Sequence, residues 1–214
     1  MAANQPAIED VVKRISKLRL PHPVRVAIDG RTASGKTTLA NALAATMQHS
    51  GRHVIRASVD GFHRPRVERH RLGRLSPEGY YEDARDLETM RRLLLDPLGP
   101  GGDRIYVAAS FDLDRDEPIE RAPECATEDA VLIVDGTFLQ RPELRESWDL
   151  VIFLDVSEQE ARRRGVERDA FALGGIAAAS ELYDQRYGPA FVRYDAECRP
   201  ADHADVVIEN ADFI

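Results

Sequence analysis

The sequence predicts an α/β fold, in which a parallel sheet is flanked by helices as a three-layer sandwich. Short apolar segments at 130–134 and 150–154 are typical of buried strands. The strand–turn–helix–strand order over 24–59 forms a βαβ unit, which requires parallel neighbouring strands. A length of 214 residues and a hydrophobic content of 43% suit a single globular domain.

The elements alternate along the chain between helices and strands. Residues 1–20 place Ile8, Val11 and Ile15 among charged residues at helical spacing, which predicts an amphipathic helix. The first half then predicts a strand at 24–29, a turn at 30–35, a helix at 37–49, a strand at 54–59, a polar loop at 61–82 and a helix at 86–95. The second half predicts a strand-like stretch at 104–110, strands at 130–134 and 150–154, an Arg-rich helix at 157–169, a Gly/Ala segment at 172–179, a helix to about 194 and a strand at 205–208. No repeat or linker divides the chain, so 1–214 is predicted to be one domain.

Composition excludes several classes of protein. The net charge of −8 disfavours nucleic acid as a partner, because such binding needs a basic face. No apolar run approaches the roughly 18 residues of a membrane span, and 1–20 lacks the apolar core of a signal peptide. Cys125 and Cys198, the two cysteines, can form neither a disulfide framework nor a CxxC metal site. A cytoplasmic protein is therefore expected.

A phosphate-binding motif lies between the first strand and the second helix. Residues 30–37 match GxxxxGK(S/T), the P-loop pattern. The motif consists of Gly30, Arg31, Thr32, Ala33, Ser34, Gly35, Lys36 and Thr37. Its glycines let backbone N–H groups curl around phosphate oxygens, and the helix that follows adds its positive end. Lys36, one of only three lysines, would contact the outer phosphates, and Thr37 would bind Mg²⁺.

Two acids follow predicted strands. Asp135 ends the apolar strand at 131–134, where a carboxylate near the P-loop can hold Mg²⁺. Asp60 ends the strand at 54–59, and ligands of open parallel sheets bind beyond the carboxyl ends of the strands. A carboxylate there could accept the proton of an attacking hydroxyl group. The alternatives are a surface acid at 135 and a turn-capping acid at 60.

Together these residues resemble the uridine kinase/phosphoribulokinase group of small-molecule kinases. The run 32–38, which ends in Thr38, is similar to the P-loop of uridine kinases, and 60–63 falls where the group carries its catalytic aspartate. The resemblance extends over about 24–210, since it includes the pair at 135–136, the arginines at 162–164 and 168, and the strand at 204–208. Asp60-Gly61-Phe62 also resembles bacterial pantothenate kinases and related sugar kinases.

The resemblance implies ATP, Mg²⁺ and transfer of a phosphoryl group to the hydroxyl of a small metabolite. On this interpretation Lys36 steadies the transferred group, Thr37 and Asp135 hold the metal, and Asp60 takes the proton. Arg164 and Arg168 would approach the phosphates from a small lid at about 160–180 that excludes water.

The acceptor half of the resemblance is weaker than the phosphoryl-transfer half. Uridine kinases carry a Tyr-Asp-Phe segment followed by His, whereas 111–116 has no His. Their lid also carries an Arg-Gly-Arg-Asp run, whereas the corresponding stretch 171–175 has no charged residue. A nucleoside such as uridine or cytidine is the first expectation, and pantothenate or a sugar is the alternative. This alternative is suggested by the acidic and aromatic run 78–83, which contains Tyr81, because pantothenate and sugar kinases carry a similar run there.

Several further residues are candidates for binding the acceptor. They are Phe62, His63, Arg64, Tyr81, Asp112, Arg186 and Tyr187. The Arg-rich segment 62–74 could bind an anionic acceptor, or could be a solvated loop. Asp112 is placed by family position, and its D-x-D-x-D run lacks the glycine and glutamate of a Ca²⁺ loop. Arg186 and Tyr187 could be lid or acceptor contacts, or could serve packing.

A second class of function is a P-loop NTPase switch with no small-molecule acceptor. The absence of an NKxD guanine motif argues against it, as does the acid at Asp60. The sequence leaves open the identity of the acceptor, the preference for ATP over GTP and the oligomeric state.

Overall fold

The computed structural model describes residues 5–210 and confirms a parallel sheet with helices on both faces. The sheet strands are β1 (Val24–Gly30), β2 (Val54–Ser58), β3 (Val131–Asp135), β4 (Leu150–Asp155) and β5 (Val206–Glu209). Their order across the sheet is β2-β3-β1-β4-β5, and every neighbouring pair is parallel. Of the helix predicted over 1–20, residues 1–4 lie outside the described part.

The helices connect these strands. They are α1 (Gln5–Lys17), α2 (Lys36–His49), α3 (Arg66–Arg69), α4 (Leu87–Met90), α5 (Pro142–Arg145), α6 (Glu158–Leu173), α7 (Ile176–Leu182), α8 (Gly188–Cys198) and α9 (Pro200–His203). A 3₁₀ turn covers Val59–Phe62, and π-helical turns cover Gly79–Asp83, Arg91–Leu95 and Tyr183–Tyr187. None of the helices within 5–210 is long and apolar enough to cross a membrane.

The two faces of the sheet bury separate cores because successive side chains of a strand point to opposite faces. Val26 and Ile28 of β1 pack with buried residues of α1 and α2, such as Ile15 and Leu43. On the other face, Ala27 packs with the apolar residues that follow the first βαβ unit, including those of α4. This alternation produces the predicted three layers.

Register brings three strand ends to one edge of the sheet. Asp135, the last residue of β3, lies opposite Ile28 of β1 and opposite Ser58 of β2. Gly30, where β1 ends, pairs with Leu154 of β4. The P-loop, Asp135 and the segment after β2 are therefore neighbours, as the parallel sheet requires.

Several segments differ in detail from the predicted pattern. The predicted loop 61–82 contains α3 and most of a π-helical turn, and the helix at 86–95 turns from α4 into a second π-helical turn. Only Ile105–Tyr106 of the stretch 104–110 is paired in a strand. The Gly/Ala segment 172–179 is mostly helical and is interrupted at Gly174 and Gly175, both at positive φ. In the last of these segments the alanines favour a helix, and the two glycines at positive φ separate one helix from the next.

Candidate active site

The P-loop curls back on itself between β1 and α2. Gly30 and Gly35 have φ angles of 149° and 93°, a region that residues with a Cβ rarely adopt. A Cβ at Gly30 would also lie only 2.7 Å from the carbonyl oxygen of Leu154. The loop ends at the first turn of α2, whose free N–H groups favour an anion.

Lys36 folds its side chain into this loop. Its Nζ donates a 2.6 Å hydrogen bond to the carbonyl oxygen of Arg31, and the residue is only 8% exposed. Burial lowers the pKa of Lys36, while the negative charges of Asp29 and Asp135 work to raise it. The ammonium group is thus held inside the loop, and its contact with the outer phosphates of a nucleotide remains a prediction.

Thr37 and Asp135 meet at the edge of the loop. The Thr37 hydroxyl donates to Asp135 Oδ2 at 2.6 Å, and Arg56 Nη2 donates to Asp135 Oδ1 at 2.8 Å. Arg56 also donates to the carbonyl oxygen of Ile133, so the backbone of β3 holds the Arg56 guanidinium group in place. Sequence reasoning did not identify Arg56, because nothing in the spacing connects β2 with the acid of β3.

This pair fits a magnesium site. Mg²⁺ is usually bound by one or two protein oxygens, with phosphate and water completing an octahedron. Thr37 and Asp135 supply a hydroxyl and a carboxylate beside the phosphate-binding loop. Within 5–210 there is no cluster of three or more His, Cys, Asp or Glu that could hold a metal without such a phosphate. The donor set therefore suits a metal that arrives with a nucleotide.

Asp60 lies in the 3₁₀ turn directly after β2, at the same edge of the sheet. Its side chain is 56% exposed, and Arg85 Nη2 donates to Oδ1 at 3.3 Å. Burial works to raise the pKa of Asp60, but the positive charges around the carboxylate, that of Arg85 first, outweigh this effect, so the pKa lies below its usual value of 3.8. The carboxylate is ionised at neutral pH and open to a ligand.

His63 packs against Asp60. It is buried, and its Nδ1 lies 2.9 Å from the backbone oxygen of Asp60 and 3.8 Å from Oδ1. Burial and the nearby charge of Arg85 lower the pKa of His63 to about 4. The imidazole is therefore neutral at pH 7, which makes His63 a supporting residue with little surface to offer an acceptor.

Tyr80 and Arg85 are site residues that sequence reasoning missed. The Tyr80 hydroxyl lies 3.4 Å from the hydroxyls of both Thr32 and Thr137, and it accepts a 3.2 Å hydrogen bond from Arg85. Tyr80 thus links the P-loop to the pair formed by Arg85 and Asp60. The sequence signal was a pair of adjacent tyrosines, and only the fold shows which of them faces the site.

Two predicted acceptor contacts prove to be core residues. Phe62 is 0% exposed and packs with the apolar core behind β2. Tyr81 is buried against Phe138, and its hydroxyl lies 3.7 Å from Cys198 Sγ. Both rings are therefore packed in the core of this structure, and contact between either ring and the acceptor remains a prediction.

The other acceptor candidates differ in their contacts. Arg64 is partly exposed, and its Nε donates to the carbonyl oxygen of Arg85 at 3.3 Å. Asp112 Oδ1 accepts from the N–H groups of Asp114 and Arg115, so it shapes its own turn. Arg186 and Tyr187 lie on the Tyr80 side, with the Arg186 guanidinium 4.9 Å from the centre of the Tyr80 ring.

The lid candidates Arg164 and Arg168 line an open cleft beside the P-loop. The other residues that line it are Ala33, Gly35, Thr38, Arg163 and Glu167. Arg164 donates to Glu160 at 2.7 Å and to the carbonyl oxygen of Asn210 at 3.0 Å. Arg168 makes a two-pronged ion pair with Asp169. Contact with phosphates remains a prediction for both arginines.

A buried acid forms hydrogen bonds at the start of the P-loop. Asp29 is fully buried, and its Oδ2 accepts from the Tyr194 hydroxyl at 2.5 Å and from Gln140 Nε2 at 3.2 Å. Its Oδ1 accepts from the N–H of Gly30 at 2.8 Å. Burial raises the pKa of Asp29, and these donors work to lower it. The acid anchors the start of the P-loop to α8.

Curated proteins that match the chain include two with uridine kinase names. The chain is 27% identical to uridine-cytidine kinase B of Dictyostelium discoideum over 188 residues, which are 87% of this chain and 74% of that protein. It is 24% identical to uridine kinase-like protein 5 of Arabidopsis thaliana over 204 residues, or 94% of this chain and 42% of that protein. The chain thus spans less than half the length of the second relative. No protein-family model matches the sequence.

Solved structures give a similar result over nearly the whole chain. A protein described as a possible uridine kinase from Bacillus stearothermophilus has a TM-score of 0.76 and 25% identity, covering 96% of this chain and 98% of that one. D-glycerate 3-kinase from Cryptococcus neoformans has a TM-score of 0.58 over 89% of this chain and 88% of that one. At 13% identity, the second likeness concerns the fold alone.

Proposed function

Because the chain is a uridine kinase-like P-loop kinase, we propose that it transfers the γ-phosphoryl group of ATP to a hydroxyl group of a small metabolite. The position of Asp60 is the observation that carries this proposal. It presents a half-exposed carboxylate at the sheet edge that also bears Lys36 and Asp135. A nucleotide switch has no need of a base at that position, whereas transfer to an alcohol does.

The phosphate end of the site binds and orients the donor. On this proposal the N–H groups of the P-loop and Lys36 hold the outer phosphates, and Thr37 and Asp135 hold Mg²⁺. When bound, the metal neutralises the charge that develops on the phosphate oxygens during transfer. Arg56 keeps Asp135 directed toward Thr37 through its 2.8 Å contact. The main work of these residues is alignment and electrostatic stabilisation.

The acceptor end supplies the base. Asp60 would accept a hydrogen bond from the acceptor hydroxyl and take its proton as the new bond to phosphorus forms. A carboxylate with a low pKa is a weak base, which is sufficient when the proton leaves late in a loose transition state. Arg85 holds the carboxylate by its Oδ1, so that Oδ2 is left for the acceptor. Arg164 and Arg168 would complete the site from the lid.

The acceptors to test come from two sources. Uridine and cytidine are first by the names of the curated relatives, and pantothenate or a sugar is the alternative that the sequence left open. The two groups differ in charge, since nucleosides are neutral at pH 7 and pantothenate is a carboxylate. Arg85 and Arg186, which lie beside Tyr80, provide a physical means of distinguishing them.

The test is ADP release from Mg·ATP with a panel of uridine, cytidine, pantothenate, fructose, glycerate and ribulose 5-phosphate. Lys36→Ala is the blank, and Lys13→Ala, which removes an exposed lysine of α1, is its matched control. A kinase shows slow turnover of ATP alone and strong stimulation by its acceptor. Hydrolysis that no member of a wide acceptor panel stimulates would replace the proposal with the NTPase switch.

A further inference from the structure

Arg186 is a buried cation without an anionic partner. It is 7% exposed, and within 5–210 no carboxylate oxygen lies within 4 Å of its guanidinium group. Nη1 donates to the carbonyl oxygen of Arg74 at 2.8 Å and lies 3.3 Å from His70 Nε2. Nε is buried and has no hydrogen-bond partner. Burying an unpaired guanidinium group is costly, which points to a function for this one.

Arg85 stands on the same aromatic ring and is also only partly paired. Its guanidinium carbon lies 4.8 Å from the centre of the Tyr80 ring, and that of Arg186 lies 4.9 Å from the same centre. Arg85 uses Nη2 for Asp60 and the Tyr80 hydroxyl, whereas its Nε and Nη1 are buried without partners. Two cations with unpaired donors thus lie over one side chain, next to the proposed base.

The surroundings of Arg186 are positively charged. Arg69 and Arg74 lie on the same side, and Arg69 is already paired with Asp116. Burial lowers the pKa of His70, and the charge of Arg186 lowers it further. Like charges this close repel one another, so the cluster is poised to gain free energy from a bound anion.

We propose that Arg186, together with Arg85, binds an anionic group of the acceptor, a carboxylate or a phosphate, while the acceptor's hydroxyl lies at Asp60. Guanidinium groups suit both anions because their N–H donors form two parallel hydrogen bonds. The inference rests on the proposed kinase function and narrows its substrate class to acidic alcohols. It favours pantothenate, glycerate or a sugar phosphate over uridine and cytidine.

Matched acceptor pairs test the charge requirement. Pantothenate is compared with pantothenol, glycerate with glycerol, and ribulose 5-phosphate with ribulose, beside uridine and cytidine. We expect an acidic member to stimulate ADP release at least about tenfold more than its neutral partner, the scale of one charge-assisted hydrogen bond. The pair that responds distinguishes a carboxylate from a phosphate. Efficient use of uridine or cytidine with no response to any acidic member would overturn the inference while leaving the kinase function intact.

Arg186→Gln tests the residue itself. We expect the KM for the acidic acceptor to rise at least about tenfold while the KM for ATP is unchanged, and Arg186→Lys to recover part of the loss. Arg71→Gln is the matched control, because Arg71 is an exposed arginine of the segment 62–74 and pairs with Asp83. An increase confined to the KM for ATP would show that the anion belongs to the nucleotide and would refute the inference.

A binding measurement separates this inference from the kinase function. Thermal unfolding is followed with glycerate or inorganic phosphate while a non-hydrolysable Mg·ATP analogue occupies the P-loop. We expect one of these anions to raise the Tm of the wild type and of Arg71→Gln, but not that of Arg186→Gln. Equal shifts in all three proteins would refute the anion site. A shift specific to Arg186 without turnover of any acceptor would preserve the site and reject the kinase function.

Discussion

Thr37 donates a 2.6 Å hydrogen bond to Asp135, a residue 98 positions further along the chain. Parallel pairing of β1 with β3 produces this contact, since Asp135 lies opposite Ile28, two residues before the P-loop begins. The bond joins the hydroxyl of the P-loop to the acid of the neighbouring strand. On the proposed function, these two side chains would hold Mg²⁺.

Asp135→Asn should weaken the response to Mg²⁺. The amide keeps the shape of the side chain but replaces a charged oxygen with a neutral group, so we expect the Mg²⁺ concentration for half-maximal turnover to rise at least about tenfold. The measurement is ADP release over a Mg²⁺ titration at saturating acceptor. Asp155→Asn is the control, because Asp155 is an exposed acid at the end of the next strand. Identical titration curves for the wild type and Asp135→Asn would remove Asp135 from the metal site.

Asp60→Asn should separate binding from catalysis. The amide cannot take the acceptor's proton, so we expect kcat to fall at least about 100-fold while nucleotide binding stays near normal. Turnover with the best acceptor and titration of a fluorescent ATP analogue measure the two effects. Asp114→Asn removes an exposed carboxylate elsewhere and should have no effect. Unchanged turnover in Asp60→Asn would exclude Asp60 as the base.

The sequence alone brings the residues of the predicted phosphate end together because that end is local. The motif 30–37 lies on one strand–turn–helix connection, where spacing alone places Lys36 and Thr37 together. Asp60 and Asp135 were also identifiable, since each follows a strand and the carboxyl ends of parallel strands share an edge. Fold class followed from the same pattern of apolar strands and intervening helices.

The acceptor end was not predictable in the same way because its contacts are long-range. Tyr80 and Tyr81 are adjacent in sequence, yet one faces Arg85 and the other packs on Phe138. A π-helical turn at Gly79–Asp83 sets this orientation, and a polar loop was expected there. Arg186 reaches Tyr80 from more than 100 residues away, so no spacing rule connects them.

Tyr194→Phe should reduce stability without altering the P-loop motif. Removing the hydroxyl leaves Asp29 without its shortest donor and the N–H of Gln140 without its acceptor. Because both groups are buried, we expect the free energy of unfolding to fall by about 2 kcal/mol. Urea unfolding measures the change. Tyr183→Phe is the control and should cost less, since its hydroxyl donates to Asp169, which lies nearer the surface. Equal losses in the two variants would argue against a special role for the buried contact.

His63 should make the protein sensitive to mild acid. Its folded-state pKa is about 4 and its ordinary value is 6.5, so between these values the unfolded chain binds a proton that the folded protein does not. Stability is therefore complete above pH 6.5 and is lost as the pH falls toward 4. For this residue the loss between pH 7.5 and pH 5 should be about 2 kcal/mol.

Comparing His63→Gln with the wild type isolates this contribution from those of the carboxylates. Urea unfolding at pH 7.5, 6 and 5 should show a shallower decline for His63→Gln, because glutamine binds no proton in either state. His203→Gln, which replaces an exposed histidine, should follow the wild-type curve. Parallel declines in all three proteins would mean that His63 accepts its proton in the folded state as readily as in the unfolded chain. The inference that His63 is neutral beside Asp60 at pH 7 would then be wrong.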